Sequence, residues 1–104
     1  MNQAIVKALS FLTFVVLPSA GFAADPTNGE TLAKRWCAAC HVVANNQQRG
    51  NTQAPPFSAI ADKPGLDAGK LAKFLLEPHP KMPNMNLSRA EAADLAAYIA
   101  TQHK

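Results

Sequence analysis

Methionine is scarce in this chain: three in 104 residues, one of them the initiator. Cysteine is scarcer still, with only Cys37 and Cys40. No second Cys/His pair follows them, which argues against a four-ligand zinc site, and no βαβ pattern surrounds them, which argues against a thioredoxin-type redox pair. Alternation of the kind that marks strands is missing, as are internal repeats and any sign of a second domain. There is no basic run and no interleaved aromatic stripe, so nucleic acid is not an expected partner. The unbroken apolar stretch before Pro18 is short for a bilayer span.

What is present begins with a short polar segment carrying Lys7, followed by "ALSFLTFVVLPSAGFA". This is the layout of an export signal, with Gly21 and Ala23 as the small residues flanking Phe22, and cleavage is expected after Ala23. A retained anchor is the alternative. The expected organisation is therefore a leader over 1–23 and one domain over 24–104, placed in the periplasm. Lys7 leaves with the leader, so nine of the ten basic residues face seven acidic ones, an excess near +2. A domain of about 81 residues has a marginal side-chain core and calls for something to staple it.

The expected architecture is all-α. Thr27 and Glu30 match a capping box, and Leu32, Ala33 and Trp36 recur at helical spacing, giving a first helix that delivers Cys37. From Val42 to Ala61 the polar string "ANNQQRGNTQ" and the pair Pro55 and Pro56 break all periodicity, so a long loop is expected with one turn near "FSAIA". Asp67 is placed to cap a second helix with the apolar face Leu71, Phe74 and Leu75, ended by Pro78. Ser88 and Glu91 form another capping box, ahead of a stripe of Ala92, Leu95, Ala96 and Ile99.

The most informative stretch is "CAACH": Cys37, two spacers, Cys40 and His41. This spacing marks covalent attachment of c-type haem, in which two thiols add across the porphyrin vinyl groups and the adjacent imidazole supplies an axial ligand to iron. Attachment consumes both thiols, so no disulfide is expected. A plain disulfide would leave His41 unexplained.

With these residues in view, the chain resembles the small bacterial class I cytochromes c, along nearly all of the length that follows the leader. The resemblance implies a small cytochrome c fold, about three main helices plus loops wrapped around one covalent haem c. It also implies that Gly29, eight residues before Cys37, crosses the last helix near Leu95 and Tyr98, glycine permitting close approach. Ala33 departs from the aromatic residue often found four positions after that glycine. "APPF" is similar to the family's proline turn, which implies that the Pro55 carbonyl accepts from the Nδ1 proton of His41 and leaves Nε2 for iron. Stiffening of the loop is the plainer reading of Pro55 and Pro56.

"HPKMPNM", residues 79–85, offers three candidates for the second axial ligand: His79, Met82 and Met85. In similar cytochromes the ligand is a methionine directly followed by proline, which points to Met82 with Pro83 behind it. A thioether favours ferrous iron and raises the reduction potential relative to a second imidazole. With both positions filled the protein is not expected to be an enzyme. It is expected to be a one-electron carrier exchanging electrons with redox proteins, as a monomer that meets membrane-bound complexes transiently. Lys34, Lys63, Lys70, Lys73 and Lys81 either ring the exposed edge and steer it towards an acidic patch, or are merely solvated. Two other functions remain open: a haem subunit fixed to a periplasmic dehydrogenase, and a gas sensor or peroxidase-like enzyme with a displaceable ligand. Trp36 is expected to pack on the macrocycle or a helix interface, and His103 to be a solvated tail residue.

Overall fold

Asp25 starts the first helix. In a computed structural model that describes residues 12–13, 23–50, 53–77 and 81–104, its carboxylate accepts from the N–H groups of Thr27 and Asn28, and α1 runs over Pro26–Trp36. The capping box read at Thr27 and Glu30 does not form. Proline in the first turn, with φ already helical and no N–H to satisfy, moves the start upstream. Glu30 instead pairs with Lys34 one turn on, at 2.9 Å and well exposed, a contact that adds little stability.

The rest of the helical reading holds among the described residues. A short helix, α2, spans Phe57–Ala61 where a single turn was expected. Asp67 accepts from the Lys70 N–H at 2.9 Å and caps α3, Ala68–Leu76. Ser88 Oγ accepts from the Glu91 N–H, and Glu91 Oε1 from the Ser88 N–H, each at 3.0 Å, to open α4, Arg89–Ala100. No strand occurs among the described residues, and no helix there is long and apolar enough to cross a membrane. The proposed leader lies almost wholly outside the described residues.

The last helix is the organiser, since α1, α2 and α3 all pack on it. At Gly29 the approach of α1 is so close that a Cβ would land on the Asp94 carbonyl oxygen and lie 2.7 Å from the Tyr98 Cβ. The Asp94 carboxylate locks the same crossing, accepting from the Asp25 N–H at 2.7 Å and from Asn28 Nδ2 at 2.9 Å. Ala33, at the position where similar proteins often carry an aromatic ring, is completely buried. Around it the core gathers Leu32, Val43, Phe57, Leu95, Tyr98 and Ile99.

Tyr98 ties the loop to this core, its hydroxyl donating to the Val43 carbonyl at 2.6 Å. Burial is the main cause that raises its pKa, with Glu30 adding to the rise, so the phenol remains a donor at neutral pH. Tyr98→Phe leaves the Val43 carbonyl buried and unpaired, and should cost about 1–2 kcal/mol, or roughly 4–8 °C in Tm for each kcal/mol. Because the folded pKa lies above the unfolded one, the contribution is complete below the ordinary tyrosine value of about 10 and is lost as pH rises through the folded value. Thermal melts of both proteins at neutral pH and above pH 10 check both statements, the difference narrowing at the higher pH.

Candidate functional site

The end of α1 and the turn after it build one wall of the site. Cys37 N–H donates to the Ala33 carbonyl at 2.8 Å, and the Cys37 carbonyl then accepts from the N–H groups of Cys40 at 3.1 Å and His41 at 2.8 Å. The turn brings the Cys37 and His41 side chains to one cleft. Both sulfurs are free thiols, Cys37 buried and Cys40 exposed. Burial pushes the Cys37 thiol up to about 11, so in the unmodified chain it is neutral at pH 7.

The His41 ring is held from the proline turn. Its Nδ1 lies 2.6 Å from the Pro55 carbonyl oxygen, so Nδ1 carries the proton and donates, which leaves the lone pair on Nε2. The turn itself is anchored by the Phe57 N–H donating to the Val42 carbonyl at 2.9 Å. The Phe57 ring stands 5.4 Å from the His41 ring and 6.3 Å from the Tyr98 ring, linking the imidazole to the core through aromatic contacts.

His41 and Cys37 open onto a cleft holding about 350 Å³ of space, part of it continuous with solvent. Its remaining walls are Phe57 and Ile60 of α2, Leu71, Phe74 and Leu75 of α3, and Ile99 of α4. Met82 also lines it. The apolar face foreseen on α3 is thus shared between α4 and the cleft, and Phe74 is 48% exposed at its margin.

Among the sequence candidates, Met82 joins His41 and Cys37 on this cleft, whereas Met85 packs, half-buried, against the core cluster. His79 lies outside the described residues. Between Met85 and α4, Asn86 takes the left-handed conformation at φ 51°, with the Asn84 side chain accepting its N–H at 3.0 Å.

Trp36 departs from expectation. It is 43% exposed, is absent from the cleft and is covered by the Arg35 guanidinium 5.0 Å above its ring. One helical step before Cys37 is a rotation of about 100°, enough to turn it to the outer face. His103 is exposed but paired, its Nδ1 3.2 Å from Asp62 Oδ1. Lys34, Lys63, Lys70, Lys73 and Lys81 are all exposed. The sequence reading missed Gln47, whose amide fastens the attachment turn from behind; nothing in "ANNQQRGNTQ" distinguishes it from its polar neighbours.

A cleft with apolar walls, the Cys37 thiol, an imidazole and a thioether on its lining, and the exposed Cys40 three residues after Cys37 in the adjoining turn, has donor chemistry that suits a flat porphyrin with a soft iron centre. Among the described residues there is no group of three or more His, Cys, Asp or Glu that could hold a metal ion by themselves. Comparison with known proteins agrees. The family described as "Cytochrome C oxidase, cbb3-type, subunit III" matches residues 24–99. Cytochrome c-552 of Bradyrhizobium diazoefficiens is 54% identical over 83 residues, covering 80% of each chain. No solved structure is significantly similar. An α1–α4 crossing closed by glycine, with its cleft beside an attachment motif, is thus explained by descent: the chain belongs to the c-type cytochrome family, as an electron carrier with a covalently bound haem c.

Proposed function

We propose that Cys37 and Cys40 form the two thioether links, that His41 Nε2 and the Met82 sulfur are the axial iron ligands, and that the Pro55 carbonyl orients the imidazole. The observation that carries this reading is that Met82, and not Met85, lines the same cleft as His41. Bound there, the haem supplies a one-electron couple between ferric and ferrous iron.

Each residue then has a separate task. Cys37 and Cys40 hold the group without dissociation. The bond from His41 Nδ1 to Pro55 sets the tautomer and raises the basicity of Nε2. Met82 contributes a neutral, soft sulfur that favours the ferrous state, and the walls formed by Ile60, Leu71 and Ile99 exclude water, which acts in the same direction by disfavouring the additional ferric charge. Two protein ligands retained in both oxidation states leave no coordination position for a substrate.

The carrier works in the periplasm after removal of residues 1–23, exchanging electrons as a monomer with soluble and membrane-bound redox complexes. Support for the cleavage comes from the family match, which starts at residue 24, and from the helix cap at Asp25. Exposed lysines on α3 and at Lys81, next to Met82, offer a positive surface to an acidic patch on the partner. A second reading is favoured by the family's description as an oxidase subunit: a haem subunit fixed in a larger complex. Co-purification with a stable larger partner would select it.

The test is an optical spectrum of the purified holoprotein with and without carbon monoxide. The expected result is a c-type spectrum, a weak far-red sulfur-to-iron band in the oxidised state, and a reduced spectrum that the gas leaves unchanged at neutral pH. Ready and complete binding of the gas would overturn both the Met82 ligation and the carrier mechanism in favour of a sensor or peroxidase-like enzyme.

A further inference from the structure

Gln47 lies half-buried behind the attachment turn, and both ends of its amide are engaged. Oε1 accepts from the Val43 N–H at 3.0 Å. Nε2 lies 3.0 Å from the Ala38 carbonyl oxygen, 2.7 Å from that of His41 and 2.7 Å from that of Arg49. One end of this side chain therefore faces a donor and the other faces three acceptors. A primary amide answers both, whereas a carboxylate of the same shape would set an oxygen against three carbonyls.

The same loop presses on the motif through its backbone. A Cβ on Gly50 would lie 2.9 Å from the Cys40 carbonyl oxygen and 3.1 Å from the His41 carbonyl carbon and the Val42 nitrogen. Beyond it, the Val42 and Val43 carbonyls are taken by the Phe57 N–H and the Tyr98 hydroxyl. His41 is consequently held at two places from two different segments: at its ring by Pro55, and at its peptide by Gln47. With ring and peptide each tied to a different segment, a shift of the peptide is passed through the torsions between them to the plane of the ring.

We propose that Gln47 is a positioning residue of the iron site, fixing the plane of the His41 imidazole through the His41 carbonyl, with Gly50 as the close packing that seats its loop. The inference rests on His41 being an axial ligand. Its consequence is functional, because a ring plane that cannot turn presents the same ligand orbital to iron in both oxidation states, and outer contacts of this kind tune ligand and metal together.

The experiment compares ferric holoprotein of the wild type, Gln47→Ala, Gln47→Glu and Thr101→Val. The last removes a hydrogen bond from Thr101 Oγ1 to the Tyr98 carbonyl, 2.6 Å long and outside the attachment turn. The readouts are the paramagnetically shifted proton resonances of the four haem ring methyls, whose spread follows the orientation of the imidazole plane, and the Tm. Both Gln47 variants are expected to redistribute the methyl shifts while keeping the far-red sulfur band, and Thr101→Val to lower Tm with the wild-type methyl pattern. A wild-type pattern in Gln47→Ala, with only Tm reduced, would make Gln47 a simple loop staple and overturn the proposal. Should the Gln47 variants not accumulate with haem, Gly50→Ala decides: it presses on the same peptide with Gln47 intact, so a redistributed pattern supports the proposal and an unchanged one overturns it. Failure of the underlying reading is distinct, since the wild type itself would then lack the shifted signals of an iron-bound imidazole.

Discussion

Oxidised Met82→Ala holoprotein should lose the weak far-red sulfur-to-iron band completely, and its reduction potential should fall. The side chain is the sulfur that lines the His41 cleft, and alanine has no donor atom to replace it. Losing a soft neutral ligand removes the preference for ferrous iron. It also opens a coordination position, so the reduced variant should bind carbon monoxide where the wild type refuses it. Met85→Ala is the matched comparison. Its side chain packs half-buried against the core cluster, so its removal should cost stability, about 1–3 kcal/mol given incomplete burial, and leave band, potential and gas response as they were. The opposite pattern, with the band lost in Met85→Ala and kept in Met82→Ala, would transfer the ligand role to Met85 and sink the assignment.

The second large effect belongs to the helix crossing. Gly29→Ala adds one methyl group, and in an exposed helix that exchange would stabilise by up to about 1 kcal/mol. Here the new carbon would land on the Asp94 carbonyl oxygen and 2.7 Å from the Tyr98 Cβ. Neither obstacle is the loose end of a flexible side chain, so α1 and α4 must move apart. Separation would strain the Asp94 bonds to Asp25 and Asn28 and loosen the packing around Ala33. A net loss of about 3 kcal/mol or more is expected, at the upper end of overpacking costs, which corresponds to a fall in Tm of more than about 12 °C for a domain of this size. Denaturant and thermal unfolding of the purified holoprotein measure it. An unchanged Tm would mean that the two helices do not meet at this glycine.

Local chemistry accounts for how much was readable in advance. Asp67 and the Ser88–Glu91 pair were recognisable as caps because a cap joins atoms three residues apart and is legible in a few letters. Thr27 and Glu30 carried the same letters and misled, since Asp25 with Pro26 two positions upstream made the better start. Trp36 had no such local rule: which side of α1 it occupies depends on where α4 lies, and α4 is over fifty residues away in the chain.

Cysteines 37 and 40 with His41 announce covalent haem attachment from spacing alone, because the chemistry requires two thiols and an imidazole within reach of one ring. The all-α class, the starts of α3 and α4 and the glycine at the α1–α4 crossing were likewise contained in the sequence, each through short-range pattern or a match to a known family. The family's methionine-proline pattern pointed to Met82, whereas the packing of Met85 against the core, the outward turn of Trp36 and the convergence of three carbonyls on Gln47 were decided by tertiary structure alone. Each depends on which segments distant in sequence pack together, and such packing is set by the sum of many weak contacts across the whole core, which no short stretch of sequence contains.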